Sequence, residues 1–72
     1  MKFVKLIKQL IRYADARKQT LAWLEAFDDA ADKATSMDDV IFECTAPLCN
    51  AEFWYRTAKH ELEEVKKVIK QN

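Results

Sequence analysis

None of the 72 residues is glycine, and the only proline is Pro47. Tight turns between strands rely on glycine's access to positive φ, so this chain is poorly equipped to build hairpins and sheets. Its abundant Ala, Leu, Lys, Glu and Gln favour helix instead. The expected fold is therefore all-α, in a single domain over residues 1–72.

The apolar residues follow helical spacing. Phe3, Leu6, Leu10, Tyr13, Arg17, Thr20, Leu24, Phe27, Ala31 and Ala34 alternate steps of three and four, which is a heptad seam on one helix over 2 to about 34. A second seam, Val4, Ile7, Ile11, Ala14, Lys18 and Leu21, runs beside it, and Trp23 and Ala30 fall outside both. Together the two seams cover more of the circumference than one neighbouring helix can hide. Thr35-Ser36-Met37-Asp38-Asp39 reads as a stop and restart: Ser36 suits an N-cap, and Asp38 and Asp39 suit the free N–H groups behind it. A short helix over 37–44 is expected to follow. Pro47 has no N–H for the carbonyl four residues earlier, so a break is expected there, with a last helix over 47–70. Its seam is Ala51, Tyr55, Ala58, Leu62, Val65 and Ile69, flanked by Trp54. Glu52–Arg56 and Glu63–Lys67 are supporting pairs one turn apart.

The expected architecture is a long antiparallel helical hairpin with a short connecting helix, dimerising into a helical bundle. At 1.5 Å per residue the first helix is about 50 Å long and the last about 36 Å. Packed from the connection outward, the last helix would stop near residue 9 or 10. That leaves Phe3, Leu6, Ile7, Leu10 and Ile11 as the expected self-association surface. A chain this short gains little from its core against an ordering cost of roughly 1.5 kcal/mol per residue, which also favours assembly.

Net charge is zero, yet the charges are segregated. Residues 1–20 balance at +5, residues 21–52 at −7 and residues 53–72 at +2. This differs from the uniform basicity of a nucleic-acid binder. Lys5 and Lys8 interrupt any secretory apolar run, no stretch reaches the roughly 20 apolar residues of a membrane span, and two cysteines without a signal fit a reducing, cytoplasmic setting.

Candidate chemistry is sparse. Cys44, Cys49 and His60 supply three metal-ligand types, but the cysteine spacing is wide and a fourth ligand would have to come from Glu43 or Glu52. Neither metal, cofactor nor disulfide is expected to be needed. His60 has no nearby Ser or Cys at helical spacing, and there is no glycine loop and no carboxylate pair in a plausible pocket, so no enzyme is expected. The acids Asp28, Asp29, Asp32, Asp38 and Asp39 surround the connection. Phe42, Phe53 and Arg56 lie off the seam, on the second face that also carries Cys49 and His60, in the aromatic-plus-Arg combination of interface hot spots.

These features lead to an expected non-enzymatic protein-interaction module that occludes or bridges a protein partner. Small inhibitor or accessory proteins of mobile elements work this way; that comparison is general and rests on no particular residue. An acidic knob flanked by aromatics would be the contact. Two rival readings place function on the basic N-terminal face, Lys2, Lys5, Lys8 and Arg12: a helical dimer binding RNA or DNA, or an amphipathic protein lying on a membrane surface.

Overall fold

The computed structural model describes residues 2–70, with the backbone alone for Lys2. It contains two helices, α1 (Lys2–Lys33) and α2 (Met37–Lys70), packed against each other along their lengths. Residues 34–36 connect them, and no strand is present among the described residues. The Ser36 hydroxyl accepts from the Asp39 N–H (3.2 Å), as an N-cap does. The Asp39 carboxylate reaches back to the Thr35 N–H (3.0 Å) and hydroxyl (2.9 Å), which closes the turn.

The expected short helix over 37–44 is not separate. The chain stays helical straight through Pro47. Pro47 deprives the Glu43 carbonyl of its donor, but Cys44, Pro47 and Ala51 lie on one stripe facing α1. Tertiary contact on both sides of the proline holds in line what local propensity would separate. One consequence is that α2, at 34 residues, matches the 32 of α1, so the expected overhang at the N-terminal end does not exist. Gln9 Nε2 donates to the Glu61 carbonyl oxygen (3.2 Å) and to its carboxylate, and Lys5 and Lys8 share a groove with Glu64, Lys67 and Val68.

The contact between the helices is built from small residues. Ala16, Cys44, Ala51, Val65, Val68 and Thr20 are buried, and no large side chain among the described residues is fully enclosed. The Thr20 hydroxyl donates to the Ala16 carbonyl (2.9 Å), so its burial leaves no polar group unpaired. Along α1 the covered positions include Leu6, Gln9, Tyr13, Ala16, Thr20, Trp23, Phe27 and Ala30, continued by Ala34 in the connection; along α2 they include Cys44, Pro47, Ala51, Trp54, Ala58, Glu61, Val65 and Val68. Both lists keep the alternation of three and four.

Half of this seam differs from the expected one. Leu6, Tyr13, Thr20, Phe27 and Ala34 are common to both, but Gln9, Ala16, Trp23 and Ala30 take the places expected for Leu10, Arg17, Leu24 and Ala31. In α2, Trp54, Glu61 and Val68 replace Tyr55, Leu62 and Ile69 in the same way. Adjacent rows on a helix offer equally good steps of three and four, and the inner rows supply the small residues Ala16, Cys44 and Ala51 where the backbones approach, with Trp23 and Trp54 half-buried beside them. The larger apolar row is turned to the flank. The pairs on the surface also shift: Glu52 holds Arg56 (2.6 Å) as expected, while Lys67 reaches Glu64 (3.1 Å) and Glu63 reaches Lys66 (3.4 Å).

The result is a rod. Its Cα envelope measures 54 × 13 × 11 Å, and its radius of gyration of 16.3 Å exceeds the about 11 Å of a compact 72-residue domain.

Two substitutions check this packing. Ala16→Leu should cost about 1–3 kcal/mol by overfilling the seam, whereas Ala22→Leu, on the exposed side, should stay within about 0.5 kcal/mol; thermal unfolding monitored at 222 nm reads both. Pro47→Ala restores a donor inside a continuous helix. It should stabilise by up to about 3 kcal/mol, less the packing of the half-buried ring. A neutral result would instead fit a helix that begins at Pro47.

Candidate functional site

The connection end gathers the acids. Asp28, Asp29, Asp32 and Asp38 are exposed. Asp39 is not a free member of this group, because it is engaged by the turn it closes. Donation from the Thr35 N–H, then from the Thr35 hydroxyl and Ser36, holds its carboxyl below the usual 3.8. Asp29 and Asp39 share an open groove with Lys33, Ala34 and Glu43 on one edge of the hairpin. The acidic end is therefore not uniformly negative: Lys33 sits among its acids.

The expected aromatic contact lies on the outside of α2. Phe42 and Phe53 are 77% and 61% exposed. Eleven residues apart, they fall on one side of the helix about 16 Å from each other, with exposed Ala46 and Cys49 between them. The Phe53 ring meets the Trp54 ring edge-on, with centroids 5.3 Å apart at 84°. That contact ties an exposed aromatic to the half-buried Trp54 and restricts its motion. Arg56 continues the same side, held by Glu52 (2.6 Å).

The cysteines and His60 do not converge. Cys44 is buried in the seam, Cys49 is exposed, and both are free thiols. Five residues on a helix separate their directions by about 140°. His60 points outward beside Glu64, at 4.0 Å. Among the described residues no group of three or more His, Cys, Asp or Glu side chains is placed to hold a metal ion.

At the opposite end, Lys5, Lys8, Arg12 and Lys67 line one groove, with Glu64 inside it and paired to Lys67. The Lys2 side chain lies outside the described residues. No helix among the described residues is long and apolar enough to cross a membrane.

The expected self-association residues divide. Leu6 is half-buried against α2, while Phe3, Ile7, Leu10 and Ile11 are exposed. Their exposure comes from direction and not from overhang: they stand on rows turned away from α2. One surface was not expected from the sequence. Ile41, Leu48, Tyr55, Leu62 and Ile69 recur every seven residues beside the α2 seam, and all but the half-buried Leu62 are largely exposed. Phe3, Leu10, Arg17, Leu24 and Ala31 do the same beside the α1 seam. The two rows meet on one side of the hairpin, since Arg17 shares a groove with Tyr55 and Leu62, and Leu24 another with Leu48 and Tyr55. Most of these residues belong to the inner seams expected from the sequence, and their period of seven does not separate the two placements, because the rows that went inside repeat every seven residues as well.

Asp39 supplies a pH test. Its lowered carboxyl contributes stability that is fully present above the unfolded value and is lost as pH falls through the folded one. The thermal midpoint of the wild type should therefore drop more between pH 6 and pH 3 than that of Asp39→Asn, which begins lower and changes less. Equal pH profiles would remove Asp39 from the cap.

Comparison with protein families, curated proteins and solved structures found no match to this chain.

Proposed function

We propose that this chain is a non-enzymatic protein-interaction module: a helical hairpin that self-associates and presents its acidic connection end, with the outer aromatics of α2, to a basic protein partner. The observation that carries this reading is the exposed Phe42–Phe53 stripe one turn beyond Asp38. Large, mostly exposed aromatics on the same half of the rod as four exposed acids combine a desolvating anchor with charge steering. Open, shallow grooves along the hairpin suit contact with another surface. Action by occlusion, as in small inhibitor or accessory proteins, suits a rigid rod with one adhesive end.

Nucleic-acid binding is the second reading, because Lys5, Lys8, Arg12 and Lys67 share one groove. Glu64 inside that groove opposes a phosphate, which ranks this reading below the first.

The test is retention of proteins from the native host on immobilised full chain. Asp28→Lys with Asp32→Lys should slow association and flatten its salt dependence. Phe42→Ala with Phe53→Ala should lose the retained protein mainly through faster release, with helicity unchanged. Retention by both variants, with loss on Lys5→Glu and Lys8→Glu together with salt-sensitive binding of labelled duplex, would transfer function to the basic end.

A further inference from the structure

The two flank rows form an apolar face that runs along both helices. Leu10 and Leu24 on α1, and Ile41, Leu48, Tyr55 and Ile69 on α2, are each at least 43% exposed. The surface of the chain indicates how much contact is missing. Its accessible area of 5816 Å² exceeds by about 1,200 Å² the about 4,600 Å² of a compact 8.4 kDa monomer. The rod shape accounts for part of that excess, and a stable dimer removes about 600–1,000 Å² from each partner, an area of the same order as the excess.

The opposite edge of the hairpin is unsuited to that role. Lys5, Arg12, Lys33, Glu43 and Glu64 occupy it, lining charged grooves. The flank grooves are walled mainly by apolar side chains, Leu24, Leu48, Ala51 and Tyr55 at one level and Tyr13, Ala58 and Leu62 at the next, with Glu52 at the rim of the first and Arg17 and Lys59 at the second.

Charge decides the orientation. Residues 21–52, which form the connection half, balance at −7, and the half with the free ends at +7. Two hairpins with connections at the same end would place like charge on like charge. Connections at opposite ends bring each acidic half over a basic half. The edges of the face make the same choice. Beside the α2 row stand Glu52 toward the connection and Lys59 and Lys66 toward the free end; beside the α1 row stand Ile7, Ala14 and Leu21, with Asp28 ending that row at the connection. A two-fold axis across the rod lays α1 on α1 and α2 on α2, so that Glu52 faces the partner copy's lysine row and apolar edge meets apolar edge. An axis along the rod lays α2 on α1 and sets those charges against Ile7, Ala14 and Leu21. Arg17 and Tyr55, which share a groove wall near mid-rod, then lie near the axis; the two copies of Arg17 approach each other there, and each guanidinium can turn onto a tyrosine ring, which offsets that one like-charge contact. A single polar residue in an apolar row pins the register there.

We infer that the flank face is a homodimer interface, formed by two hairpins packed with their connections at opposite ends into a four-helix bundle. This rests on the self-association part of the proposed function and adds the face and the orientation. Phe42 and Phe53 stand outside it and stay available.

The experiment uses the full chain. Sedimentation equilibrium at micromolar concentration should give a dimer for wild type and for Phe53→Asp, whereas Leu48→Asp should weaken dimerisation at least tenfold, in line with loss of a buried anchor. In a Cys44→Ala, Cys49→Ser background, Ser36→Cys carries a spin label. Pulsed dipolar spectroscopy should then read on the order of 50 Å, close to the 54 Å rod length. This distance is measured without changing the face, so it stands even if Leu48→Asp fails to fold. A dimer with labels about 20 Å apart, two helix diameters, overturns the orientation and leaves self-association intact. A dimer broken by Phe53→Asp and not by Leu48→Asp overturns the face. A wild-type monomer overturns the dimer itself, and if that monomer sediments with anionic liposomes the face belongs to a lipid surface. None of these outcomes depends on whether the outer aromatics retain a protein partner.

Discussion

The close antiparallel contact of α1 and α2 through alanine-sized side chains governs everything else in this molecule. Ala16, Thr20, Cys44 and Ala51 are buried because they are small enough for two backbones to run side by side. The larger seam residues Leu6, Tyr13, Trp23, Phe27 and Trp54 are only half-buried, and Phe3, Leu10 and Tyr55 stand outside, since a two-helix sandwich encloses no large side chain among the described residues. A buried CH₂ is worth about 0.8 kcal/mol, so small residues contribute little each, and the chain keeps most of its hydrophobic potential on the surface. A two-helix rod of this kind has adhesive faces as a direct result of its packing.

Those faces are chemically distinct, and their separation follows from the seam. Once the inner rows are chosen, one edge of the hairpin receives Lys5, Arg12, Lys33, Glu43 and Glu64, and the other receives the leucines, isoleucines and Tyr55. The outside of α2 carries Phe42 and Phe53, which touch neither edge. The rod therefore offers a charged edge, an apolar edge and an aromatic outer stripe at different azimuths. The acidic connection adds polarity along the axis.

Pro47 shows how far the seam outweighs local preference. A proline with a lost hydrogen bond argues for a boundary. The row that includes Cys44, Pro47 and Ala51 faces α1 on both sides of the residue, and its register survives only if the helix continues. Continuity also lengthens α2 enough to cover α1 to its beginning. The shorter last helix expected from propensity would have left that end bare, and with it an exposed patch of different origin from the one observed.

The sequence alone determined what depends on neighbours in the chain: helix as the only regular structure, because glycine is absent; the restart at Ser36, because capping is local; and the acidic connection, because charge placement follows chain position. The outer position of Phe42 and Phe53 was also legible, from their angle relative to the α2 seam. Tertiary structure alone decided which of two adjacent rows went inside. Leu10, Leu24, Tyr55 and Leu62 outrank Gln9, Trp54 and Glu61 in combined hydrophobicity and repeat just as regularly, so periodicity favours the row that ended outside. The choice depends on how closely two backbones can approach, a property of the pair of helices that neither sequence carries by itself.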